Sequence, residues 1–164
     1  MTLLSFAPIA LLAVLAAGAA AAQNVAPAGI SQTTTGELQT RRAGGGPVRF
    51  DLSPANHVVS GDELVYTVEI RNTTPHPIEG VVAVSPIPEK MTYLAGSASG
   101  PGCDIEFSVD GGGSFAAAKD LTIKLPAGQS RPAVAADYTH IRWKLKFALS
   151  GRATAYARFR AVLK

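Results

Sequence analysis

The residues of this chain that could perform chemistry are few and widely spaced. The three histidines, His57, His76 and His140, are too far apart in sequence for the short spacings of a helix or strand metal site, and no Cys or carboxylate cluster completes a ligand set. The segment "AGSASG" at residues 95–100 resembles the turn of a serine nucleophile only loosely, and no positioned base accompanies it. We therefore expect no catalytic residue, no metal, no cofactor and no enzyme activity.

Two short motifs allow a second interpretation. "DGGG" at residues 110–113 follows a strand-like segment and could hold a cation or a phosphate, but it is more typical of a hairpin turn. The triplet Asn72-Thr73-Thr74 fits the pattern of a glycosylation acceptor and is equally typical of a strand end. Neither motif by itself specifies a ligand.

Charge is distributed unevenly along the chain. Residues 23–130 carry 7 bases and 11 acids, a net charge of −4, whereas residues 131–164 carry 8 bases and 1 acid, a net charge of +7. Alternation in "THIRWKLKF" and "ATAYARFRAVLK" places the bases on the outward side of two strands. If these strands are neighbours, the bases form either a face for an anionic partner or a solvated face that discourages edge pairing. The residues of this predicted basic face are Arg142, Lys144, Lys146, Arg158 and Arg160.

The first 22 residues predict export. They are apolar and uncharged, and Ala20 and Ala22 fit the small-x-small pattern of signal peptidase, so cleavage is expected after Ala22. An uncleaved anchor is the alternative, although an Ala-rich apolar run of 17 residues is marginal for a bilayer span. We expect a periplasmic, extracellular or cell-surface protein with no stable membrane insertion after cleavage. Its lone Cys103 is either buried and inert or available for an intermolecular disulfide.

Strict alternation of apolar and polar residues predicts an all-β fold. In "ELVYTVEI" at residues 63–70, every second residue is apolar, which is the pattern of a half-buried antiparallel strand. About seven to nine short strands separated by turn residues predict an immunoglobulin-like antiparallel β-sandwich over residues 48–164, with Trp143 in its core. Residues 23–47 are expected to form a flexible or strand-forming arm, because the Gly-rich segment "RRAGGG" is expected to interrupt regular structure before the predicted sandwich.

One part of the chain resembles a known family. The segment "VVSGDELVYTVEIRNTTPHPIEGVVAVSPIPEKMTYLAGSASG" is similar to the core of the domain of unknown function 11 family, an immunoglobulin-like module of bacterial and archaeal surface proteins. Two positions depart from the family pattern, Ser60 and Ser85, and the second weakens any calcium-site hypothesis. The resemblance covers residues 48–164 and implies envelope or extracellular assembly with no catalytic residues. The matching positions are Gly61, Asp62, Tyr66, Asn72, Val82, Val84, Pro88, Tyr93, Gly96 and Ser97.

Three hypotheses for function follow. The first is a non-catalytic structural or interaction module of the cell envelope or extracellular surface that acts through protein–protein contact. The second is a self-assembling filament or layer subunit, in which the arm of residues 23–47 adds a strand to a neighbour; the alternative is that the arm pairs within its own sandwich. The third is binding of an anionic envelope glycan through the basic face; with only Tyr138 and Tyr156 as candidate exposed aromatics, a stacking sugar site is not expected. Nucleic acid is not an expected partner outside the cytoplasm.

Overall fold

The computed structural model describes residues 28–42 and 49–164, which form an all-β fold with three short 3₁₀ turns. The predicted signal peptide and the first residues of the predicted arm lie outside the described residues. The described strands are β1 (Ile30–Arg42), β2 (Arg49–Pro54), β3 (Glu63–Asn72), β4 (Val82–Pro86), β5 (Met91–Tyr93), β6 (Cys103–Ser108), β7 (Thr122–Lys124), β8 (Ser130–Pro132), β9 (His140–Leu145) and β10 (Thr154–Leu163).

The strands form two main antiparallel sheets. The five-stranded sheet has the order β2-β1-β3-β10-β5, the three-stranded sheet has the order β4-β9-β6, and β7 pairs with β8 as a small ribbon. The predicted all-β class with an antiparallel sandwich architecture is therefore confirmed. The described part has ten strands where seven to nine were predicted, because β5, β7 and β8 contain only three residues each.

The core lies between the two main sheets. Val68 and Ile70 of β3 and Phe159 of β10 are fully buried from one side, and Trp143 of β9 is fully buried from the other. The Trp143 and Phe159 rings meet with centroids 6.2 Å apart, and the Trp143 indole N–H donates to the Ser99 carbonyl at 3.1 Å. The alternation read from the sequence thus gives each strand one core face, and the prediction for Trp143 is confirmed.

Residues 30–42 belong to the sandwich. They form β1, which pairs with β3 from Ile30 to Leu38 and with β2 from Glu37 to Arg42. A domain boundary at residue 48 is therefore corrected to one before β1. The breaker was expected at residues 41–47; its first two residues, Arg41 and Arg42, end β1, and the others lie outside the described residues.

One side chain of β1 covers an edge of the opposite sheet. Gln32 donates from its amide nitrogen to the Val84 carbonyl at 2.6 Å and accepts from the Val84 N–H at 3.2 Å. Val84 lies on β4, the edge strand of the three-stranded sheet. An uncovered edge presents backbone groups to which another chain can pair, so Gln32 closes this edge at its centre.

The turn between β9 and β10 is tied to the loop between β3 and β4. Asn72, which is fully buried, donates from its amide nitrogen to the carbonyls of His76 at 2.7 Å, Leu149 at 2.9 Å and Ser150 at 3.2 Å. Its amide oxygen accepts from the N–H of Thr74 at 2.9 Å. Asn72 is thus a structural residue of the folded chain, and its burial makes it inaccessible for glycosylation.

Candidate interaction surface

The five bases of the predicted basic face lie on two different sheets. β9, with Arg142 and Lys144, is the central strand of the three-stranded sheet, whereas β10, with Arg158 and Arg160, belongs to the five-stranded sheet. Their outward faces point to opposite sides of the sandwich. The prediction of one continuous basic face is therefore wrong, because the last two strands are joined by a crossing between sheets and not by a hairpin.

The bases of β9 are paired with acids of its neighbour β6. Arg142 and Lys144 both contact Glu106, with the Arg142 Nε at 2.8 Å and the Lys144 Nζ at 3.1 Å from its carboxylate oxygens. Lys146 contacts Asp104 at 2.6 Å. Burial raises the pKa of Glu106, but the hydrogen bonds from Arg142 and Lys144 outweigh it and leave that pKa below its ordinary value. The bases on this face are therefore paired with acids of the same protein.

The same pairing occurs on the five-stranded sheet. Arg160 contacts Glu63 of β3 at 2.8 Å, and within the described residues Arg158 has no ion-pair partner. The uneven charge distribution therefore has a structural explanation: acids of the earlier strands lie across from bases of the last two. Opposite charges on adjacent strands contribute roughly 0.2–1 kcal/mol each. An anionic-glycan surface made of these five bases is not formed.

The other candidate chemical groups are also used internally. Both oxygens of the Asp110 carboxylate accept hydrogen bonds, from Ser108 at 2.6 Å and from the Ser114 hydroxyl at 2.6 Å, and these bonds lower the pKa of Asp110 well below its usual range. "DGGG" is accordingly a closed turn. Among the described residues no group of three or more His, Cys, Asp or Glu side chains could hold a metal ion.

Three further side chains have a partly buried environment. Burial lowers the pKa of His140, and burial followed by the Asp104 charge raises the pKa of Cys103. A half-buried thiol whose pKa is raised is a poor nucleophile, which favours the inert interpretation of Cys103. Tyr138 is half-buried and stacks on Phe107 at 4.5 Å, so the prediction that it is exposed is wrong.

Asp137 gives folding a dependence on acid pH. Two hydrogen bonds of 2.7 Å from Arg131, and then one from the Val134 N–H, lower the pKa of Asp137 from 3.8 to about 2. Because the folded pKa lies below the unfolded one, this stabilisation is complete above about pH 4 and is lost as the pH falls through about 2. We expect Asp137→Asn to flatten the acid side of the stability curve measured by urea unfolding. Asp120→Asn, at an exposed aspartate, is the control; if both variants have equal effects, the assignment to Asp137 is wrong.

A groove of about 690 Å³ opens beside the first residues of β10. Its apolar lining includes Phe147 and Leu149 from the β9–β10 connection, Pro101 from the loop before β6, and Ala155 from β10. Phe147 is 42% exposed, and Tyr156 at the rim is 53% exposed, as the sequence predicted for this tyrosine. The groove contains no grouping of His, Ser and acid and is suited to contact with apolar side chains.

A second exposed apolar feature lies at the far edge of the same sheet. β2 is an edge strand, and its Phe50 and Leu52 are 55% and 43% exposed. Both side chains project from the same face of β2, since they are two positions apart. They also line a shallow groove of about 410 Å³. Alternation in "VRFDL" predicts this shared face, but that the two side chains are exposed follows only from the tertiary structure.

Comparison of the chain with protein-family models, curated proteins and solved structures found no match. Within the described residues, no helix is long and apolar enough to cross a membrane. The structure thus presents two exposed apolar patches, one on the edge strand β2 and one beside the first residues of β10.

Proposed function

We propose that this chain is a non-catalytic, exported module of the cell envelope or extracellular surface that acts through protein–protein contact. The observation that carries the proposal is the position of its exposed apolar side chains. Phe50 and Leu52 lie on one sheet edge, and Phe147 and Tyr156 lie beside another. Apolar side chains at strand edges favour contact with another polypeptide, because backbone hydrogen bonds and apolar burial can form together there.

Two sequence features support the same proposal. The apolar leader with its small-x-small ending favours export, and the resemblance to the domain of unknown function 11 family favours an immunoglobulin-like surface module. Two acidic groups that could suggest catalysis, Asp110 and Glu106, have internal partners. Pairing of this kind suits a rigid scaffold better than a reactive site.

Photo-crosslinking in the organism that makes the protein tests this proposal. A photoreactive amino acid at position 156 should give protein adducts, because Tyr156 lies at the rim of the groove. The same amino acid at position 89, an exposed residue outside both apolar patches, is the control. Adducts at 156 that exceed those at 89 support the proposal, and equal yields would contradict it. Secretion is checked in the same cells by the mass of the mature chain, which should begin at Gln23.

A further inference from the structure

We propose that the sandwich binds a small uncharged aromatic molecule in a cavity between its two main sheets, at the side where β5 and β6 lie. The cavity has a volume of about 320 Å³, and its lining includes Tyr93 of β5 and Ile105 and Phe107 of β6. It shares no described lining residue with the groove beside β10 or with the groove at β2. The inference therefore adds a ligand site to the proposed function and does not depend on it.

Three aromatic rings in mutual contact line the cavity. Phe107 and Tyr138 stack with ring centroids 4.5 Å apart. Tyr93 lies 5.3 Å from Phe107 and 5.9 Å from Tyr138. Aromatic rings attract one another at centroid distances of about 4.5–7 Å, in offset-stacked or edge-to-face arrangements. A ring that enters the cavity can make the same contacts with this cluster, so the lining favours a flat aromatic ligand.

The rest of the space is bounded mainly by small residues from three connections between strands. Ala95, Gly96 and Ala98 follow β5, whereas Ala118 and Ala135 belong to the 3₁₀ turns that precede and follow the β7–β8 ribbon. Protein interiors are close-packed and contain few voids larger than a water molecule. The volume of this cavity instead falls in the range of small-molecule sites, which is about 300–1,000 Å³.

The chemistry of the lining favours a neutral ligand. Every described residue that lines the cavity is uncharged. Burial is the main cause that raises the pKa of Tyr138, so this environment disfavours the charged form of a group. A carboxylate or an ammonium group on the ligand would lose its hydration here and would gain no opposite charge from these residues. An uncharged aromatic molecule meets no such cost.

Hydrogen bonds fix the positions of the residues around the cavity. The Tyr93 hydroxyl accepts a hydrogen bond from the Ala98 N–H at 3.0 Å, which joins this ring to the loop after β5. Arg131 donates to both carboxylate oxygens of Asp137, at 2.7 Å each, and so ties the 3₁₀ turn Ala135–Asp137 to the ribbon. A site whose walls are fixed before binding loses little conformational entropy when a ligand enters, which favours affinity.

Methyl NMR spectroscopy of the mature protein with three matched probes tests the inference. The probes are naphthol, its charged analogue naphthoate and its saturated analogue decahydronaphthol. We expect naphthol to shift the methyl resonances of Ala98, Ala118 and Ala135 along one saturable curve, without moving the methyl resonance of Ala148 in the groove beside β10. Naphthoate should bind at least about tenfold more weakly, because its charge is desolvated. Decahydronaphthol should bind at least about twofold more weakly, because it has no aromatic ring.

Matched substitutions in one 3₁₀ turn locate the site. Ala135→Phe places a ring in the cavity, whereas Ala136→Phe changes the next residue, which is exposed and is not among the described residues that line it. Naphthol should bind to Ala135→Phe at least about tenfold more weakly, and to Ala136→Phe as it does to wild type. Ala118→Phe, at an exposed lining residue, is a second filled variant and should also weaken binding. Circular dichroism verifies that every variant keeps the β fold.

Crosslinking in the organism that makes the protein determines whether the ring comes from a free molecule or from a partner's side chain. A photoreactive amino acid at position 118 lies at the cavity, and position 89 is again the control. For a free molecule we expect no more protein adducts at 118 than at 89. An excess of protein adducts at 118 would overturn the assignment to a small molecule.

Three results of the binding experiments would also overturn the inference. The first is the absence of a saturable shift of the cavity methyl resonances with naphthol. The second is equal affinity for naphthol and naphthoate, which would contradict a neutral ligand. The third is equal affinity of the Ala135→Phe and Ala136→Phe variants, which would place naphthol elsewhere. None of these results changes the adducts expected at position 156, so failure of this inference and failure of the proposed function are distinguishable.

Discussion

Asn72→Asp should unfold this protein more effectively than any surface substitution. The Asn72 amide nitrogen donates to three carbonyls, from His76, Leu149 and Ser150, in a fully buried position. A carboxylate of the same shape replaces the donor with an acceptor and places a charge against carbonyl oxygens. Removing the donor from a buried network and adding an unpaired charge costs about 3 kcal/mol or more.

The pH dependence of Asn72→Asp separates this mechanism from a general loss of packing. A protonated carboxyl can still donate one hydrogen bond, and burial raises the pKa of an aspartic acid in the folded state above its unfolded value. The stability that the variant loses relative to wild type should therefore be smallest below about pH 4 and increase as the pH rises. Asn56→Asp, at an exposed asparagine, is the control in chemical denaturation. Equal losses for the two variants, or a loss independent of pH, would contradict the role given to Asn72.

Gly151→Ala should have the second large effect, at the same junction. A Cβ atom at Gly151 would lie 2.0 Å from the Pro75 carbonyl oxygen and 2.3 Å from its carbon. Both are backbone atoms, so the clash is relieved only by moving the β3–β4 loop away from the β9–β10 turn. That movement would also lengthen the hydrogen bond from the Arg152 N–H to Thr74, now 2.9 Å. We expect a loss of about 3 kcal/mol, in the range of severe single substitutions.

Thermal and urea unfolding of Gly151→Ala, compared with Gly113→Ala, measures this effect. A Cβ at Gly113 would lie 3.2 Å from an Asp110 carboxylate oxygen and 3.5 Å from the Asp110 backbone oxygen, so a shift of a few tenths of an ångström by this side chain accommodates it and no backbone atom blocks it. The Gly113 variant should therefore lose less than about 1 kcal/mol. If the two alanine variants unfold alike, the close approach of Gly151 to Pro75 does not limit stability.

Strand identity was predictable because its signal is local. Alternation in "ELVYTVEI" and "THIRWKL" predicts which side chains face inward, and the structure buries most of those residues, including Val68 and Trp143. Prolines and glycines end these strands through the dihedral angles that their own backbones prefer, and this effect does not depend on contacts with distant segments. The all-β class, the strand faces and the core tryptophan therefore follow from the sequence.

Sheet partners were not predictable in the same way, because pairing is a contact between distant segments. β9 and β10 follow each other in the chain, yet β9 pairs with β4 and β6 while β10 pairs with β3 and β5. The prediction of one continuous basic face was wrong for this reason, because it assumed that the strands carrying Arg142 and Arg158 are adjacent. The strand expected within residues 23–47 could pair either with its own sandwich or with a neighbouring molecule, and the structure places it, from Ile30 onward, between β2 and β3 of its own sheet.

The sequence by itself determined that the chain consists of strands with one apolar face each. Successive side chains of an extended backbone point to opposite faces, so alternation of apolar and polar residues is a local signal. Only the tertiary structure decided that the acids of β6 neutralise the bases of β9, and that an apolar groove lies beside the first residues of β10. Charge pairing and grooves depend on which strands are adjacent. That adjacency is selected by packing of the whole core and not by any single segment.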